Sequence, residues 1–417
     1  MESRQPAVRR GAAGPDVARR DRRDPEVAVT AAPGLLGIRG LLASWALAAA
    51  AFGGFSLLLP VVPWAIAQAG GSDTLAGSVT TVFMATTVLT QLAMPKLMRA
   101  RGHRQLLIAG CLLLGLPSLG LLASTAPPVV LGISAVRGIG FGMITVAAAA
   151  LVAELTPARQ LGRATGALGI AIAASQMIGL PLGLFLAERF STAPVFVLGA
   201  LVPTLGLVAA ARLPRVRPAA GATHGRPPLL ALLLPTVAIG AGAIAYGGLT
   251  SLLQIAAVGL PVPIALATLS ASTLVGRFGA GSLADRIGAG RLLPIGLALA
   301  AIAMVPFALV ADDRAGAPAL IGAAACFGLG FGIVQNEALL VAFRRAGPSH
   351  IGSASAAWNI GFDAGAGIGA FLLGALATAA GYPAAFAIAA VLVPVLPLLA
   401  RLAGPSDPKP RPIESNP

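Results

Sequence analysis

Arg137-Gly-Ile-Gly-Phe-Gly142 and Phe327-Gly-Leu-Gly-Phe-Gly332 are two copies of one stretch, 190 residues apart. Gly138, Gly140, Phe141 and Gly142 recur as Gly328, Gly330, Phe331 and Gly332. The same offset maps Gly162 on Gly352, Ile170 on Ile360, Gly179 on Gly369 and Phe196 on Phe386. Both copies lie inside long apolar runs. A repeat at one offset within apolar sequence implies two similar halves laid in the same orientation.

Composition agrees with a membrane chain. Of the 417 residues, 57% are hydrophobic and 11% charged, against roughly 25% charged in a soluble domain. Gly and Pro are abundant, as membrane helices tolerate. Cys111 and Cys326 both fall in apolar runs, so they read as small core residues and not as a disulfide. His103, His224 and His350 are far apart and have no metal-ligand spacing. No metal and no cofactor is expected.

Twelve apolar stretches are each long enough for roughly 30 Å of hydrocarbon. They lie near 40–66, 75–98, 104–124, 128–153, 162–187 and 193–213, then 229–257, 262–284, 291–311, 318–343, 351–379 and 382–402. The expected fold is therefore an all-α membrane protein of twelve transmembrane helices in two six-helix bundles. Residues 1–39 and 403–417 read as disordered cytoplasmic tails, 40–213 and 229–402 as the bundles, and 214–228 as a charged, Pro-rich linker. The N-terminal stretch lacks the apolar core of a signal peptide.

The net charge of +14 follows this topology. With twelve spans, 25 of the 29 basic residues fall in the tails, the linker and the loops on one side, while Arg189 and Arg314 occupy the other side. Arg137 and Arg277 lie within spans. The asymmetry places both termini in the cytoplasm. The charge is a topology signal, which removes nucleic acid as a partner and leaves the bilayer. A multi-pass protein of the cell membrane is expected, working as a monomer.

Gly281-Ser-Leu-Ala-Asp285-Arg286-Ile-Gly288, with Arg291 behind it, closes the eighth span. This G-x-x-x-D-R-x-G pattern resembles the signature loop of the major facilitator superfamily. The resemblance covers residues 40–402 and implies alternating access, with Asp285 and Arg286 as a conformational latch and Arg277 two turns upstream. The first-half copy, Pro95-Lys-Leu-Met-Arg99-Ala-Arg101-Gly102, has Pro95 for the Gly and Arg99 for the Asp. Arg137 ahead of its glycines resembles the family's fourth-span pattern, although the Gln usual there is missing. The Gly run is no dinucleotide fingerprint, because no strand precedes it.

Gly179-Leu-Pro181-Leu-Gly183 resembles, in altered order, the Gly-Pro-Gly region of proton-coupled exporters. Pro bends the helix and the glycines admit a close neighbour. Gly361, Gly365 and Gly369 form a small-xxx-small packing face. Asn359 and Asp363 share another face, four residues apart. Asp363 falls near the midplane, where an ionisable residue is a functional candidate by default. Asp363 and Glu337 are the candidate proton carriers, with Glu154 a further acid. Arg137, about 14 Å from its helix end by rise per residue, is a candidate cavity residue and the first candidate partner of Asp363, with Arg277 second. Gln176, Tyr246, Asn336 and Asn359 are further candidates for the cavity, as are Phe52, Phe55 and Trp358.

No Walker loop is present, and no catalytic residue is expected: the chain reads as a transporter and not an enzyme. The leading expectation is a secondary active exporter that exchanges a small organic molecule for protons. A proton-coupled uptake symporter and a non-transporting membrane sensor are the alternatives.

Overall fold

The computed structural model describes residues 35–216, 229–347 and 350–403. Most of the expected tails and residues 217–228 of the expected linker lie outside the described residues. Among those described there is no strand. The helices are α1 (Leu41–Leu58), α2 (Val61–Gln68), α3 (Asp73–Arg101), α4 (His103–Gly115), α5 (Gly120–Ala123), α6 (Pro127–Leu155), α7 (Leu161–Arg189) and α8 (Thr192–Ala211). The second half supplies α9 (Leu229–Ala256), α10 (Val262–Ile287), α11 (Leu293–Ile302), α12 (Met304–Ala311), α13 (Ala317–Ala346) and α14 (Ile351–Ala403).

Taken with their bends, eleven of these segments are long and apolar enough to cross a membrane. The last is 53 residues long and is interrupted at Gly381, whose φ of 83° and ψ of 163° are non-helical. Glycine tolerates that left-handed φ because it has no Cβ. The stretches before and after Gly381 each exceed the ~20 residues that a span requires. Large apolar side chains such as Leu89, Ile178, Phe185 and Leu205 are exposed on the outside of the molecule, as side chains that meet lipid would be.

Within the first half, α1 packs on α7 and α8, α3 on α6, and α4 on α6 and α8. Within the second, α9 packs on α14, α10 on α13, and α11 on α13. Between the halves, α3 runs along α14 and α7 along α10.

The duplicated motif explains this packing. A Cβ on Gly138 or Gly142 would strike the α3 carbonyls of Phe83 or Thr87, and one on Gly140 would strike α4 at Gly110 and Leu114. In the second copy, Gly328 and Gly332 meet the carbonyls of Leu269 and Thr273, and Gly330 meets Gly296 and Ala300. The glycines thus alternate between two neighbours and let both backbones approach. The motif glycines correspond at 190 residues, whereas the carbonyls they meet correspond at 186. The second half has therefore gained four residues between α11 and α13, and α3 and α4 map on α10 and α11 at the shorter offset.

The other small residues act alike. Gly179 and Gly183 lie against α1 at Gly53, Ser56 and Leu57, flanking Pro181. Gly361, Gly365 and Gly369 lie against α9 at Thr236, Gly240 and Ile244. These are corresponding interfaces of the two halves.

Candidate functional site

A cavity of about 230 Å³ lies between the halves. Its lining obeys the repeat: Thr165, Leu168, Gly169, Ile172 and Ala173 of α7 correspond to Ser355, Trp358, Asn359, Phe362 and Asp363 of α14, and all ten line it. The cavity therefore sits where corresponding faces of the two halves meet. Thr165 and Ser355 lie about 6 Å from the starts of their helices by rise per residue, so the cavity extends to that end of the molecule.

The opposite end is sealed. α3 and α14 run antiparallel, and their contacts descend in register. The Thr74 N–H donates to Thr378 Oγ1 at 3.1 Å, and the Thr74 and Thr378 hydroxyls are 2.9 Å apart. Gly77 lies against the Ala370 carbonyl so closely that a Cβ would overlap it. Thr81 Oγ1 donates to the Gly367 carbonyl at 2.8 Å. Beside this seam, the Thr80 and Ser251 hydroxyls are 2.8 Å apart, and Gln254 Nε2 donates to Glu188 Oε1 at 2.7 Å.

The last step of the seam is Gln91 Nε2 donating to Asp363 Oδ2 at 2.7 Å, at the cavity wall. The same nitrogen lies 3.2 Å from Thr145 Oγ1. Asp363 is buried, and neither Arg137 nor Arg277 pairs with it: Gln91 takes the place expected for an arginine. The corresponding pair in the second half is Arg277 and Gln335, with Arg277 Nη1 donating to Gln335 Oε1 at 3.2 Å. Gln91 and Arg277 correspond at the 186 offset, and Thr145 and Gln335 at 190.

Arg277, expected with the latch, lines the cavity. Gln176, Tyr246 and Asn359 line it, together with Phe52, Phe55 and Trp358. Arg137 does not. Phe55, Phe83 and Phe141 cluster with centroids 4.5 to 5.4 Å apart, and Arg137 lies one turn beyond Phe141. Its Nε donates to the Leu114 carbonyl at 3.1 Å, and its guanidinium carbon is 5.5 Å from the Phe83 centroid. It borders a separate hollow of about 20 Å³. The aromatic plug thus keeps it out of the main cavity.

Asn336 also misses the cavity, facing Gly281 of α10. Glu337 is fully buried away from the cavity, and its Oε2 accepts from the Gly290 and Leu292 amides. It therefore holds the turn behind the signature motif, a position unlike that expected of a proton carrier in the cavity. Glu154 lies 3.5 Å from His103 Nε2, also away from the cavity. Arg286 is exposed in the last turn of α10. The latch role expected for Asp285 rests on a side chain outside those described. Gln91 and Gln335 were not singled out from the sequence. The signal for Gln91 is its correspondence with Arg277, which appears only at the 186 offset.

Two aromatic walls complete the site. Phe52 packs on Phe141 with centroids 4.8 Å apart, and Trp358 stacks on Phe362 at 5.8 Å. Tyr246 stacks on Phe331, the motif phenylalanine of the second half, at 4.9 Å. Such a lining suits a small organic molecule with an apolar body. Among the described residues no group of acids, histidines and cysteines is arranged to hold a metal ion.

Comparison with known proteins agrees with this architecture. The profile of the Major Facilitator Superfamily matches residues 44–369. A bacterial homologue of the human lysosomal transporter Spinster, inward-facing and occupied, superposes with a TM-score of 0.70 at 16% identity, covering 87% of this chain and 96% of its own. Its inward-facing unoccupied form gives 0.69 at 15% identity, with the same coverage. A peptide transporter, POT, in complex with sulfate gives 0.74 at 14% identity, covering 89% and 95%. No curated protein matches the sequence. At these identities the structures speak for the fold, and the profile speaks for the family: the chain is a secondary transporter, not an enzyme, and belongs to the major facilitator superfamily.

Proposed function

We propose that this chain is a proton-coupled transporter of a small organic molecule across the cell membrane, with Asp363 as the proton carrier. It acts as a monomer of twelve spans in two six-helix bundles, with Gly381 dividing the last two and both termini cytoplasmic. In that orientation the cavity extends toward the cytoplasm and the α3–α14 seam seals the outside. The carrying observation is the place of Asp363: a buried carboxylate that both lines the cavity and forms the last step of the seam between the halves. A proton there changes a bond across the moving interface, and so links protonation to the conformational balance.

Export in exchange for protons is the first reading of direction, supported by the Gly179-x-Pro181-x-Gly183 element. Uptake is the second, supported by Arg277: a cation in the same cavity allows an anion and a proton on Asp363 to load together. Proteoliposomes holding a pH-sensitive dye test both readings against a panel of small acids, amines and neutral compounds. A compound-dependent proton flux is expected in wild type. Asp363→Asn should abolish uphill transport and retain compound exchange. Uphill transport by Asp363→Asn at the wild-type rate would overturn the assignment.

A further inference from the structure

The repeat leaves Arg277, in the cavity wall, without an ion-pair partner among the described residues. Asp363 faces Gln91 across the seam, but the residue corresponding to Asp363 in the first half is Ala173, and the residue corresponding to Gln91 is Arg277. Where symmetry would set a carboxylate against Arg277, there is a methyl group. Arg277 makes one side-chain hydrogen bond, to the neutral amide of Gln335, and no ion pair among the described residues. A guanidinium carries five N–H donors in a planar fork, and leaving such a charge without a partner inside a membrane is costly.

We propose that the substrate supplies the missing carboxylate: this chain binds a small monoanionic organic acid with an apolar, preferably aromatic, body. The carboxylate meets the free edge of the Arg277 guanidinium, a geometry that planar carboxylates match in bidentate fashion. Thr273 and Ser270, one and two turns before Arg277 on α10, line the same wall. The body lies between Phe52 on one side and Trp358 and Phe362 on the other. The cavity of about 230 Å³ has the volume of about eight waters, which accommodates a single-ring acid. Arg277 and Asp363 are the charged residues in the lining. A cationic molecule would therefore meet Arg277 wherever it engaged Asp363, whereas an anion meets an unfavourable charge only while Asp363 is ionised. This assignment rests on the transporter reading, and its test needs no transport.

Equilibrium binding to the purified full-length protein in nanodiscs, with no gradient, tests it directly. Benzoate and phenylacetate are compared with benzamide and phenylacetamide, which keep the shape and lose the charge. Saturable binding of at least one acid below about 10 mM, at least about tenfold tighter than its amide, is expected. Arg277→Gln should weaken acid binding by at least about tenfold and leave the amide unchanged. Arg277→Lys should retain part of the preference, since a point charge replaces the fork. Asp363→Asn should bind the acid as well as wild type or better. Equal affinity for acid and amide, no saturable acid binding in wild type, or full acid affinity in a folded Arg277→Gln would each overturn the proposal. Acid binding without proton-driven flux would leave this assignment standing and fail the transport reading alone.

Discussion

Gln91→Leu removes one step of the seam and leaves the proposed proton carrier, Asp363, in place, so it separates the gate from the coupling residue. In the present state Gln91 donates to Asp363 at 2.7 Å, and a hydrogen bond to a charged group contributes about 1.5–3 kcal/mol. Gln91 also meets Thr145 at 3.2 Å, but that contact lies within the first half and travels with it when the halves move, so it drops out of the balance. Losing the cross-half bond should therefore shift the equilibrium about 10- to 150-fold toward the state open at the other end. From a minor population of about 1%, the alternate state would rise to about 10–60%. A cysteine at Ser251, beside the seam and 1% exposed in this state, reports this as faster labelling by an impermeant thiol reagent, after Cys111 and Cys326 are replaced. Thr145→Val is the control and should label as wild type. Unchanged labelling in Gln91→Leu, or the same acceleration in Thr145→Val, would refute the claim that the bond spans the moving interface.

Gly77→Val should act in the same direction and go further. Its side chain would overlap the Ala370 carbonyl, prevent closure of the seam, and open the same reporter at Ser251 while abolishing net transport; normal transport would show that the close approach is dispensable. Glu337→Gln should leave proton coupling intact but lower the melting temperature, because a neutral amide accepts more weakly from the Gly290 and Leu292 N–H groups, with a loss on the order of 1–2 kcal/mol; loss of coupling at unchanged stability would restore Glu337 as a proton carrier. Cysteines at Asp313 and Arg286 test orientation: impermeant reagent applied to whole cells should label the first and miss the second, and the reverse would invert the topology.

The fold was legible because glycine spacing and the length of apolar runs are physical constraints written directly in the chain. Two backbones can approach closely only where Cβ atoms are missing, so Gly138, Gly140 and Gly142 had to recur as Gly328, Gly330 and Gly332. The site was less legible. Depth in the bilayer follows from counting residues, but which neighbour a side chain meets does not. Arg137 shows the difference: the depth argument marked it as functional, yet Phe141, one turn away, joins Phe55 and Phe83 to screen it from the cavity. Gln91 was hidden for another reason. At the 190 offset its counterpart is Gly281, and its kinship with Arg277 emerges only when helix packing reveals the shift to 186.

The chemistry then resides where the duplication is broken. Identical halves would give a symmetric cavity with equal seams on both sides and no reason to couple one ligand to another. Here corresponding positions hold unlike groups: Gln91 against Arg277, Ala173 against Asp363, and Ala147 against Glu337. One seam receives an acid that a proton can silence. The corresponding position facing the other receives a methyl group and leaves a cation to the cavity. On the proposed assignments, one interface answers to protons while the other answers to an anion, and the remainder of the repeat carries each response across the molecule. Exchanging the two characters is the strictest consequence of this view: a chain carrying Asp363→Ala and Ala173→Asp would pair its acid with Arg277 in a permanent salt bridge, and should lose both acid binding and proton coupling while keeping the fold. A double variant that still binds a carboxylate with wild-type affinity would show that Arg277 is not where the anion sits.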